Sequence, residues 1–105
     1  MDSRYRQLAD VLVQYSIQLK KGERVLIDAF DIPENMVLAI IRSVRSNGGI
    51  PFVNLQNAKV NRELIHHLDS GQFECQSVWE LHRMQSVDAY IAIRGSDNIF
   101  EMSDV

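Results

Sequence analysis

The sequence predicts an α/β fold, a three-layer α/β/α arrangement around a short, mostly parallel three-stranded sheet in the order 2-1-3. Three observations carry this reading. Val25-Leu26-Ile27 is apolar without alternation, the pattern of a strand with protein on both faces. Helix-period segments separate this run from two later apolar runs, and strands joined by helical crossovers pair in parallel. The chain has 105 residues, enough for a single domain with one modest core.

Each element has its own local cause. Leu8, Val11, Leu12, Tyr15 and Leu19 follow helical spacing, with Asp2 or Ser3 available as cap. Lys20, Lys21 and Gly22 are expected to close the last turn, since cations suit the negative end of a helix and glycine accepts the left-handed conformation. The chain can then enter the first strand at once. Asp31-Ile32-Pro33-Glu34 reads as a cap, a first-turn proline and a glutamate three residues on, opening a second helix. Val37, Ile40, Ile41 and Val44 form its inner face, and Asn47-Gly48-Gly49 its stop. Residues 50 to 55 form the second strand, with Pro51 tolerated near its start.

Residues 58 to 69 and 73 to 85 read as two more helices separated by Ser70-Gly71. Val60, Leu64 and Leu68 mark one inner face, and Val78, Leu81 and Trp79 the other. Residues 89 to 93 form the third strand. The order 2-1-3 is flavodoxin-like. A sheet of only three strands leaves edges with unpaired backbone groups, which reads as an incomplete domain.

Composition narrows the partners. The eleven Lys and Arg are scattered and the formal charge is −3, so no phosphate-binding stripe for nucleic acid is expected. No apolar run approaches the roughly 20 residues that span a bilayer, and MDSRYRQ is too polar for a secretory signal. A cytoplasmic protein is expected. Cys75 has no partner for an internal disulfide and reads as a small semi-buried residue in a reducing compartment.

Candidate chemistry is sparse. Asp28 and Asp31 follow the first strand, at the edge where open α/β sheets place ligands. A phosphoacceptor site would also need an Asp ending a later strand and a Lys beyond it, whereas the third strand ends in Ile93-Arg94-Gly95; Asp31 reads as a helix cap. His66 and His67 are neighbours whose side chains diverge by about 100° on a helix, and Cys75 and His82 stand about 10 Å apart along theirs, so neither pair readily shares a metal. The sequence contains no H-E-x-x-H, C-x-x-C, G-x-S-x-G or Gly-rich phosphate loop. Arg94 can fork two hydrogen bonds onto a carboxylate, and Asp97 and Asn98 follow in the loop leaving the third strand. That loop has two readings, a ligand-facing segment or a turn that caps a following helix.

Three stretches carry a family resemblance: LADVLVQYSIQLKKGERVLI at 8 to 27, NGGIPFVNL at 47 to 55, and VDAYIAIRGSDNIFEMSDV at 87 to 105. Together they resemble the N-terminal part of the thermophilic metallo-aminopeptidase family, the aminopeptidase T-like enzymes. The resemblance implies a cytoplasmic, dimeric metallopeptidase that releases N-terminal residues from peptides. Two divalent ions of the zinc, cobalt or manganese class would activate water and polarise the scissile carbonyl. It further implies that the metal ligands belong to a larger C-terminal domain outside residues 1 to 105, so that this chain alone supplies neither catalytic nor metal-binding residues. Arg94 and Asn98 are then candidates for the substrate entrance. The alternative is a stand-alone flavodoxin-like binding module without catalysis. On either reading the exposed sheet edges imply a homo-oligomer.

Overall fold

A computed structural model describes residues 3 to 95. Helix α1, Ser3–Val11, continues into a π-helical stretch, Leu12–Ser16. Strand β1, Arg24–Phe30, helix α2, Glu34–Ser46, and strand β2, Ile50–Gln56, follow. Helices α3, Ala58–His66, and α4, Ser70–Gln85, then lead to strand β3, Ala89–Arg94. The three strands form one parallel sheet in the order β2-β1-β3.

Strand β1 is the centre of the molecule. It bonds β2 along one side, from Arg24 opposite Ile50 to Phe30 opposite Gln56, and β3 along the other, from Val25 opposite Ala89 to Phe30 opposite Arg94. Residues 25 to 29 are all buried, so the unbroken apolar run reports burial on both sheet faces. Pro51 lies in edge strand β2 beside Ile50, whose own N–H reaches the Glu23 carbonyl at 2.8 Å. Because ladder bonds alternate along a strand, the proline's missing N–H falls on the outer side and interrupts nothing.

One face of the sheet carries the apolar core. Val25 and Ile27 of β1, with Ile91 and Ile93 of β3, pack beneath Met36, Ala39, Ile40 and Val44 of α2 and Ala9 and Val13 of α1. Ser43 is the buried polar residue of this helix layer, and its hydroxyl donates to Asp10 of α1 at 2.8 Å. Helix α2 stops where the sequence indicates. Gly48 has φ +81, its N–H reaches the Arg45 carbonyl, and the Gly49 N–H reaches the Val44 carbonyl, which is the paired 5→2 and 6→1 closure of a Schellman turn.

The first helix differs from its expected course. It ends near Ser16 rather than at the lysine pair, and Gln18 takes a positive φ. Lys20 to Glu23 make a separate turn instead: the Glu23 carboxylate accepts the Lys20 N–H at 2.6 Å, and Gly22, at φ +85, donates to the Gly48 carbonyl at 2.8 Å. The inner face is also rotated. Val11 and Tyr15 are exposed, while Tyr5, Leu8, Ala9, Leu12 and Val13 face the core, still at i, i+3, i+4, i+7, i+8 spacing. Helix α2 is capped by Pro33 without a side-chain hydrogen bond; Asp31 serves α3 instead.

The boundary between the last two helices lies at residues 67 to 69, not at Ser70-Gly71. Asn57 caps α3 by accepting the N–H groups of Lys59 and Val60, and Asp69 caps α4 by accepting that of Gln72. The inner faces expected for them are not buried: Val60, Leu64, Val78, Trp79 and Leu81 are exposed, and neither helix contains a buried residue. The sheet face they adjoin mixes Asp28, Asn54 and Gln56 with Leu26, Phe30 and Phe52. The chain therefore has one dry face and one partly polar face.

Burial on the dry face predicts where stability resides. Ile27→Ala, at a fully buried site in β1, should destabilise the fold by about 2–5 kcal/mol. Leu55→Ala, at an edge position 72% exposed, should change it by less than about 0.5 kcal/mol. Urea unfolding of both variants checks this, and equal effects would contradict the assigned core.

Candidate functional site

Because side chains alternate across a strand, the second sheet face collects Leu26, Asp28 and Phe30 from β1, Phe52, Asn54 and Gln56 from β2, and Tyr90, Ala92 and Arg94 from β3. Asp28 stands at its centre, 5% exposed. Its Oδ1 accepts from Asn54 Nδ2 at 2.9 Å and Gln56 Nε2 at 3.0 Å, and its Oδ2 accepts the Tyr90 hydroxyl at 2.5 Å. Gln56 in turn accepts from Asn61 Nδ2 of α3 at 2.8 Å. Three donors from the two neighbouring strands thus compensate a carboxylate taken out of water.

Burial, then the hydrogen bond to Asp28 and that residue's negative charge, together raise the Tyr90 pKa to about 12. At neutral pH the phenol is a donor held by the carboxylate. The cluster is a cross-strand fastening that ties β1 to both of its neighbours. The sequence reading had Asp28 following the first strand; it lies within β1, two residues before the strand's end. A legible signal existed in Asn54 and Gln56, two polar residues at i and i+2 of an otherwise apolar strand, which must share a face.

The C-terminal edge of the sheet gathers the more open groups. Asp31 leaves β1 with φ +54, and its Oδ2 accepts the Ala58 N–H at the start of α3 at 3.0 Å. Gly95 donates to the Phe30 carbonyl at 2.7 Å, and a Cβ there would collide with the Asp31 carbonyl. That close approach is what the glycine provides. Arg94, exposed at the end of β3, holds its guanidinium 4.6 Å from the centroid of the Phe30 ring, within cation–π range. It borders a groove of about 350 Å³ with Phe30, Ala58, Asn61, Arg62 and Ile65. Of the two entrance candidates, Arg94 thus stands at this edge, and Asn98 lies outside the described residues.

Metal donors are not brought together. Among the described residues no group of three or more His, Cys, Asp and Glu side chains could hold a metal ion. His66 and His67 do approach, contrary to the divergence expected on a helix: their ring centroids are 4.5 Å apart, edge to face. His67 is the C-cap, with φ −122 and ψ 36, so its side chain leaves the helical direction. Cys75 is exposed rather than semi-buried. No helix among the described residues is long and apolar enough to cross a membrane.

The elements define an open parallel α/β domain whose polar groups gather on one sheet face and at the C-terminal strand edge. The chain belongs to the thermophilic metalloprotease (M29) family, whose model matches residues 1–105. Wild-type AmpT from Thermus thermophilus shares the fold, with a TM-score of 0.68 and 16% sequence identity over 90% of this chain. The match covers 25% of that structure's chain, so the present chain spans about a quarter of its length. No curated protein matches.

The Asp28–Tyr90 bond predicts an alkaline instability. Tyr90 ionises near pH 10 when unfolded and near 12 when folded, so the unfolded state loses its proton first as pH rises. The stabilisation is complete below pH 10 and disappears between 10 and about 12. Thermal melting across that range should show a decline that Tyr90→Phe reduces; an identical decline in the variant would refute the assignment.

Proposed function

We propose that this chain supplies the N-terminal, non-catalytic α/β portion of a metal-dependent aminopeptidase that releases N-terminal amino acids from peptides. The observation that carries the reading is the M29 family match across residues 1–105. The fold shared with AmpT over 90% of this chain supports the same reading. The two divalent ions of the zinc, cobalt or manganese class that the reading requires would be held by residues outside 3 to 95. No step of peptide hydrolysis is assigned to this domain.

In this reading the domain stands beside the catalytic one and forms part of the substrate entrance, with Arg94 at the open edge and Asn98 in the loop that follows it. The assembly is a cytoplasmic homo-oligomer. The unpaired Cys75 suits a reducing compartment, and the outer edges of β2 and β3 offer backbone groups for association.

The test is an assay of the 105-residue chain with leucyl p-nitroanilide in the presence of Zn²⁺, Co²⁺ or Mn²⁺. No metal-dependent release above the blank is expected, and activity should appear when the chain is joined to a metal-ligating M29 catalytic domain. Metal-dependent turnover by the 105-residue chain itself would overturn the proposal.

A further inference from the structure

The groove at the C-terminal strand edge has a chemical character of its own. Ala58, Asn61, Arg62 and Ile65 occupy i, i+3, i+4 and i+7 of α3 and so form one helix face. Phe30 and Arg94 form the opposing wall from the strand ends. Among the described residues, its lining contains two guanidinium groups and no acidic side chain. Among the described residues, neither Arg62 nor Arg94 has a carboxylate partner. The carboxylate of Asp31 adjoins this edge, where its Oδ2 accepts the Ala58 N–H.

The walls are also held in place. Arg94 is seated over the Phe30 ring, and Asn61 is tied through Gln56 to the buried carboxylate of Asp28. Ile65, 65% exposed, leaves an apolar surface beside the cations. Two guanidiniums bordering one groove offer charge-assisted donors to a monoanion. At about 350 Å³ the groove falls at the small end of ligand sites, with room for one or two amino-acid residues.

We propose that this groove is a subsite for the α-carboxylate of a short peptide whose last side chain is apolar, with Arg62 and Arg94 as the carboxylate-binding pair. The ligand's being a peptide rests on the peptidase reading above; the groove itself specifies a monoanion attached to an apolar group. Phe30 and Ile65 receive the terminal side chain, and Asn61 braces the α3 wall. Such a subsite would measure the far end of the substrate and favour short peptides over long chains.

The experiment is an NMR titration of the 105-residue chain with N-acetyl-L-leucine, following the amides of Ala58, Asn61 and Gly95. Saturable shifts with a Kd on the order of millimolar are expected for a ligand of this size. Arg62→Gln and Arg94→Gln should each weaken binding by about 5- to 10-fold, as expected for loss of one charge-assisted contact. Their otherwise unchanged spectra would show that both variants remain folded. N-acetyl-L-leucinamide, which lacks the charge, should not saturate the site. Free leucine, whose ammonium would lie beside the arginines, should bind several-fold more weakly.

Equal binding of the amide, equal binding of inorganic phosphate, or an unchanged Kd in both variants would overturn the subsite. Equal binding of free leucine would overturn the peptide assignment. The readout is binding without turnover, so its failure leaves the peptidase reading intact. Hydrolysis by the 105-residue chain would instead overturn that reading and not this groove.

Discussion

Everything in the molecule is referred to β1, a strand buried on both faces by two different kinds of interaction. On one face Val25 and Ile27 join an apolar core with α1 and α2. On the other, Asp28 binds three donors from β2 and β3. The apolar contacts supply non-directional stabilisation, while the carboxylate fixes which residues stand opposite one another. A one-residue slip of either neighbour would turn its donor to the wrong face and leave a buried charge short of partners. Apolar packing thus holds the layers together, and the polar cluster specifies the register.

The same division explains why chemistry collects where it does. The dry face is covered by α1 and α2, and the space left on it, about 460 Å³ beside Val37, Ile41, Val53 and Leu55, is mainly apolar. The polar face is covered by two helices without a buried residue between them, so grooves remain open along it. Parallel strands bring all three C-termini to one edge, and there Phe30, Asp31, Arg94 and the start of α3 meet. This edge carries two guanidiniums, an aromatic ring and an amide, with the Asp31 carboxylate beside them.

How much of this was legible in the sequence follows from the range of the forces involved. Strand β1, the parallel order 2-1-3 and the glycine stop of α2 were readable because each is written in local pattern: Val25-Leu26-Ile27, the intervening helices, Asn47-Gly48-Gly49. The course of the first helix was not. Its rotation places Ala9 and Val13 inward and Tyr15 outward, a choice made by the partner surface rather than by periodicity alone. Val60, Leu64, Val78 and Leu81 show the converse failure, because helical spacing identifies a stripe without saying whether anything covers it. The place of Arg94 at a strand end was readable from local pattern. That Arg62 borders the same groove was not, because only the fold brings α3 beside that strand, nor was the Asp28 cluster, whose donors lie up to 62 residues away in sequence.

Native-state hydrogen exchange tests the central claim, that β1 is the anchor and the α3–α4 layer adds little to it. The amides of residues 25 to 29 should exchange only through global unfolding, while those of α3 and α4 should exchange through openings of much lower free energy. Equal protection of α4 and β1 would contradict this account, since it would require α4 to be packed, whereas it contains no buried residue.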